Sequence, residues 1–147
     1  MKIANICADN SKAKRLKVGA ILVKDNQIIS DGFNGTPHGF ENNCEYIICP
    51  KNNKECTSDC KNYINCDIKR LKTKPYVIHA EANCLMKSLI NGNSTKNSTI
   101  YITHAPCVEC AKLIIQSGIK KVIYLNDYKN NDGINILKRA NILIEKM

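Results

Sequence analysis

The stretch IYITHAPCVECAKLIIQSG, residues 100–118, decides the reading of this chain. Its first residues alternate like a strand, and an apolar helical pattern follows. Pro106 suits the first turn of that helix and Gly118 ends it. Cys107 and Cys110 stand three residues apart at the helix start, so both sulfurs lie on one face. Such a pair can be a redox couple, half of a structural zinc knot, or part of a reaction centre. The rest of the chain has to choose.

Working outward, KVIYLN (121–126) reads as a buried strand, GINILKRAN (133–141) as a helix and ILIE (142–145) as a short last strand. Upstream, HAEANCLMKSLINGN (79–93) is helical, with Ala82, Leu85, Met86, Leu89 and Ile90 at helical spacing and Gly92 as its stop. Residues 2–14 read as an amphipathic helix with Ile3, Ile6 and Cys7 on one side. KVGAILVKDNQIISDGF (17–33) is a hairpin turning at Asp25-Asn26. NGTPHG (34–39) breaks regular structure. Residues 41–76 are polar and cysteine-rich, with no clear period. A loop of that length needs something to order it, such as a metal, a partner subunit or short helices. Helices alternating with strands in the second half predict parallel strands covered by helices. The expected fold is α/β: a mixed five-stranded sheet between helices, in a single domain spanning residues 1–147, with no repeat or linker.

Composition narrows the class. The 147 residues include nine cysteines, no tryptophan and a 44% hydrophobic fraction. A formal charge of +9 suits an anionic partner, or is simply a lysine-rich solvated surface. The three arginines, Arg15, Arg70 and Arg139, form no cluster, so no nucleic-acid groove is indicated. No apolar run fits a signal peptide or a membrane span. The chain is therefore expected to be soluble and cytoplasmic, where thiols stay reduced and cysteines call for metal or catalysis before disulfides.

His79 opens the helix of residues 79–93 as Cys107 opens the other. If both helices start at one sheet edge, His79, Cys107 and Cys110 meet and supply three zinc ligands with a fourth position open for water. First-turn N–H groups and the helix dipole favour the thiolates. Zinc would bring a water pKa from about 16 to near 7. Glu81 lies in the first turn beside His79 and could move a proton without binding metal. The H-x-E … P-C-x-x-C pattern is that of zinc nucleobase deaminases. Taken singly, His79 reads as an ordinary satisfied histidine and Glu81 as a solvated first-turn acid.

KVGAILVKDNQIISDGFNGTP, HAEANC, PCVECAKLIIQSGIKKVIY and Tyr128 carry a family resemblance over about residues 3–145. The chain resembles the deoxycytidylate (dCMP) deaminases of the cytidine deaminase superfamily, phage and bacterial members above all. That likeness implies a three-layer α/β/α cytidine-deaminase-like fold and zinc-dependent hydrolysis of dCMP to dUMP and ammonia, supplying thymidylate precursor. It implies Glu81 as proton shuttle, the Ala80 backbone on the base edge, Asn34 on the deoxyribose and Tyr128 in the nucleotide site. It also implies a homo-oligomer, often a hexamer, activated by dCTP (with Mg2+) and inhibited by dTTP. Gly35 and Thr36 lie where many members bind the effector, though a plain turn accounts for them equally.

Two features depart from the family pattern. His104-Ala105 replaces the usual pair before Pro106, which reads as a strand-end histidine shaping the pocket and not as a fourth ligand. The loop at 41–76 carries Cys44, Cys49, Cys56, Cys60 and Cys66, candidates for a second, structural zinc or scattered reduced thiols. Cys84 and Cys7 read as core. The competing functions are deamination of another cytosine or purine nucleoside or nucleotide, and a non-catalytic nucleotide-binding regulator. A third is a nucleic-acid-binding zinc module using the basic residues 61–74.

Overall fold

The computed structural model describes residues 1–48 and 70–147. The hairpin is β1 (Gly19–Lys24) and β2 (Gln27–Phe33), preceded by α1 (Lys2–Asp9). Its turn residues Asp25 and Asn26 both have positive φ, 49° and 61°, as a two-residue turn matching strand twist requires. A second, two-stranded ribbon follows, β3 (Glu45–Ile48) and β4 (Arg70–Thr73). Then come α2 (Ala80–Ile90), β5 (Thr99–His104), α3 (Val108–Gln116), β6 (Lys121–Asn126), α4 (Asp132–Arg139) and β7 (Leu143–Lys146).

The main sheet has the order β2-β1-β5-β6-β7. β1 is antiparallel to both neighbours, while β5, β6 and β7 run parallel. The mixed five-stranded sheet is as expected. Rows of side chains cross it in register: Leu22, Ile100 and Val122 in one, Ala20, Ile102 and Tyr124 in the next. These rows pack with Ala80, Cys84 and Leu85 of α2, Ala111 and Ile114 of α3, and Ile134 and Leu137 of α4 in one core. α1 covers the opposite face, where Gly19 lies against it. The result is three layers, helix, sheet and helices.

Four expectations need correction. The first helix ends at Asp9, not near residue 14. Its buried residues are Ala4 and Ala8, whereas Ile3 and Ile6 are exposed and Cys7 is half-buried. Along α2 the buried side chains are Ala80, Glu81, Cys84, Leu85 and Ser88, leaving Met86, Leu89 and Ile90 in the open. The larger apolar stripe faces away from the core because the sheet approaches the small-residue face. Finally, the cysteine-rich region is not aperiodic throughout, since β3 and β4 pair within it. Cys44, just before β3, is fully buried; Cys49, Cys56, Cys60 and Cys66, and with them the structural-zinc expectation, lie outside the described residues.

Gly32 shows why small residues matter at that face. A Cβ there would stand 2.4 Å from the Cys84 nitrogen and 2.5 Å from the Ala80 oxygen, both backbone atoms of α2. Neither can move without shifting the helix that carries His79 and Glu81. Gly32→Ala is therefore expected to lower stability by about 2 kcal/mol, the usual cost of overpacking. Urea unfolding should show a lower midpoint at unchanged slope, and a wild-type midpoint would contradict the packing described.

Candidate active site

Parallel sheets place ligand sites beyond the carboxyl ends of their strands. Here β5 ends at His104 and runs through Ala105 and Pro106 into α3, while β6 ends at Asn126 and leads to Asp127 and Tyr128. Ala105 N–H donates to the Asn126 carbonyl at 2.8 Å, and Asn126 Nδ2 donates to the Thr103 carbonyl at 3.0 Å, tying the two strand ends together. The hairpin contributes its own open end, with Val18 before β1 and Asn34 after β2. Ile78 and Gly35 exchange backbone hydrogen bonds of 2.8 and 3.1 Å, which delivers the chain to the start of α2 at this edge.

His79 and Cys107 are the N-cap residues of α2 and α3, both with extended backbone. Their helices therefore begin side by side. Cys107 Sγ lies 3.5 Å and Cys110 Sγ 3.3 Å from His79 Nδ1. All three donor atoms lie within 4.8 Å of one another, so they could share one metal ion. Ordinary zinc bond lengths and a tetrahedral angle require sulfur and nitrogen donors about 3.6 Å apart, and these distances match. Two thiolates and an imidazole are also the donor types zinc prefers. Metal-ligand geometry of this kind is the feature expected from the sequence, and the fold brings its three residues together.

The electrostatics suit a cation. The Cys107 thiol is held down to about 3 by a hydrogen bond from Cys110, with further help from His79 and against the effect of burial. Cys110, donating to that thiolate and itself buried, is pushed up. His79 is raised, first by its bond to Cys107. The helix N-termini where a metal would sit thus favour a thiolate at Cys107.

A cavity of about 580 Å3 opens beside the cluster. Its lining includes His79, Ala80, Glu81 and Cys107. Glu81 is only 4% exposed, and burial raises its carboxyl above the usual range, partly offset by its own backbone N–H and by His79. It is not the solvated acid its position alone suggests. His104 also lines the cavity, outside the metal-binding group, with Nδ1 3.1 Å from Thr103 Oγ1; burial lowers its pKa. Tyr128 lines it too, with Lys129 Nζ 5.5 Å above its ring. Asn34 reaches the same wall, but its carboxamide is engaged with backbone, donating to the Leu16 carbonyl at 2.9 Å and accepting from Val18 N–H at 2.8 Å. Gly35 and Thr36 lie instead in a second cavity of about 520 Å3, beside Phe40, Met86 and Ile90.

Sequence reasoning passed over Arg15, Glu45 and Lys129, which line the main cavity. Arg15 and Lys129 look like members of a general lysine-rich surface, and Glu45 sits in the stretch without a period. The only local signal was the KRLK sequence ahead of the hairpin.

A mixed α/β sheet carrying a His–Cys–Cys donor set beside a buried carboxylate defines the class of zinc-binding nucleobase deaminases. Residues 1–126 match the family described as the cytidine and deoxycytidylate deaminase zinc-binding region, and the chain belongs to that family. It is 35% identical to the deoxycytidylate deaminase of Enterobacteria phage T4, over 97% of this chain and 84% of that protein. Against the Homo sapiens deoxycytidylate deaminase the identity is 37%, over 90% of this chain and 66% of the relative. The crystal structure of dCMP deaminase from cyanophage S-TIM5, in complex with dCMP and dUMP, superposes with a TM-score of 0.80 at 38% identity, covering 99% of this chain and 92% of that one. No helix among the described residues is long and apolar enough to cross a membrane.

Cys110→Ser removes a donor from the buried side of the cluster. The purified variant should carry one zinc fewer per chain than wild type by atomic absorption. An unchanged zinc count would mean that the cluster does not hold the metal.

Proposed function

We propose that this chain catalyses the zinc-dependent hydrolytic deamination of dCMP to dUMP and ammonia. The observation that carries the reading is Glu81, buried on the wall of the same cavity that His79 and Cys107 line. His79, Cys107 and Cys110 would hold zinc, which when bound lowers the pKa of water and makes a nucleophile available near neutrality. Glu81 takes a proton from the attacking water and delivers it to N3 of cytosine. It then takes the remaining proton from the new C4 hydroxyl and passes it to the amine, which leaves as ammonia as the C4–N bond breaks and the C4–O bond becomes the uracil carbonyl. A carboxyl raised by burial is closer to neutrality and so better matched to both transfers.

The substrate assignment draws on the cavity rim and on the relatives. The backbone of Ala80, in the first turn of α2 and on the cavity wall, would meet the base edge. Tyr128 offers a ring to the nucleotide. Asn34 retains one N–H and one lone pair for the sugar, because its other donor and acceptor sites are spent on residues 16–18. Arg15 and Lys129 supply cationic side chains on the cavity wall, suited to a 5′-phosphate. A neutral nucleoside would offer them no anion, which favours a nucleotide over free cytidine. The name of the phage T4 relative and the nucleotides of the cyanophage complex agree with dCMP.

The regulatory and assembly expectations extend the same proposal. dCTP, with Mg2+, would activate and dTTP inhibit through the glycine turn at Gly35 and Thr36, whose separate cavity is large enough for a ligand. Exposed Met86, Leu89 and Ile90 on α2 and Ile28 on β2 support a homo-oligomer, a hexamer on the family pattern.

Glu81→Gln should lower kcat by at least about a hundredfold while zinc content stays at the wild-type level. Measured together, these two values separate lost proton transfer from lost metal; wild-type turnover would reject the assigned role. A panel of dCMP, dCTP, cytidine, deoxycytidine, guanine and an adenosine-containing tRNA, followed by ammonia release, tests the substrate. dCMP should lead by kcat/KM, and faster turnover of any other member would displace it.

A further inference from the structure

Glu45 is a buried carboxylate for which the deamination chemistry has no use. It is 4% exposed, and burying such a group is unfavourable unless its oxygens find donors. Its partners are peptide groups. Oε1 accepts from the N–H of Lys14 at 3.1 Å and of Arg15 at 3.2 Å, and Oε2 accepts from Lys14 N–H at 3.2 Å. Both donors belong to residues 11–18, which form neither helix nor strand. In the register of the two-stranded ribbon, the residue paired with Glu45 is Thr73. Thr73 Oγ1 in turn accepts from Arg15 Nη1 at 3.0 Å. A single cross-strand pair therefore grips Arg15 at both ends, by its backbone and by its guanidinium. Arg15, Glu45 and Thr73 all line the main cavity.

We propose that Glu45 and Thr73 are positioning residues that preset Arg15 for the phosphate of the substrate. The proposal rests on the nucleotide reading given above. An exposed arginine on an irregular segment samples many rotamers, and ordering it on binding costs affinity. The ribbon pays that ordering cost during folding. One guanidinium N–H is used on Thr73, and the remaining donors can still form a charge-assisted pair of bonds with a phosphate. Glu45 does not oppose the phosphate as a free anion would, because its oxygens are aimed at peptide N–H groups.

The test compares Arg15→Gln, Glu45→Gln, Thr73→Val and the double variant Arg15→Gln/Glu45→Gln on dCMP and on deoxycytidine. Inhibition constants for dUMP and deoxyuridine give the same comparison should deoxycytidine turn over too slowly to measure. Arg15→Gln should raise KM for dCMP about tenfold or more, the worth of one charge-assisted contact. Glu45→Gln and Thr73→Val should each shift KM in the same direction by less, with a smaller effect on kcat, and each should narrow the preference for the phosphorylated ligand. On dCMP the double variant should be no worse than Arg15→Gln, because Glu45 acts through that side chain. Thr73→Val leaves the buried carboxylate untouched and keeps the test valid if Glu45→Gln does not fold. Equal losses on phosphorylated and unphosphorylated ligands, or full additivity in the double variant, would overturn the positioning role. If Arg15→Gln abolishes the phosphate preference while the other two variants spare it, positioning fails and the nucleotide reading stands. If wild type shows no preference for the phosphate, or Arg15→Gln leaves it intact, the phosphate contact itself fails and the proposal falls with it.

Discussion

The site depends on two helices beginning side by side at one sheet edge. Each helix start exposes unpaired N–H groups and the positive end of its dipole. Placing two such ends together makes a region where negative charge is stabilised before any ligand arrives, and there the Cys107 thiol is held low. The N-cap positions of His79 and Cys107 are what bring imidazole and thiols within reach of one another. Had either helix begun one turn earlier, its side chain would point along the helix flank instead of beyond its end.

That juxtaposition is held by close backbone approaches more than by large side chains. Gly32 lets α2 lie directly on β2, and Gly133 lets α4 press against the Pro106 carbonyl, which a Cβ would meet at 2.0 Å. Gly19 does the same for α1 on the opposite face. A core built from such contacts leaves little room for adjustment, so the geometry of the donor set is inherited from the packing of the sheet.

Two buried carboxylates face the cavity and differ in what surrounds them. Glu81 is raised by burial and has the metal-binding residues for neighbours, so its proton is free to be traded. Glu45 spends its oxygens on peptide N–H groups of an irregular segment and on nothing else in the described residues. The same chemical group thus serves reactivity in one place and order in another, and the hydrogen-bond partners decide which.

Much was legible in order and spacing alone. Period-two and helical patterns, Pro106, Gly118 and the Asp25-Asn26 turn are local signals, and local signals specify the strands, the helix ends and the hairpin. The positions of His79, Glu81, Cys107 and Cys110 at helix starts followed from the same patterns, and with them the donor set. Tertiary structure alone decided which face of each helix is buried. Met86, Leu89 and Ile90 share helical spacing with Leu85, yet only Leu85 is buried; the face carrying Ala80 and Cys84 lies on the sheet at Gly32, and the other three are left outside. It alone also decided that Glu45 and Thr73, 28 residues apart in the chain, meet across a ribbon and take hold of Arg15. Periodicity describes neighbours along a chain; a contact between irregular segments has no period, so only the folded molecule discloses it.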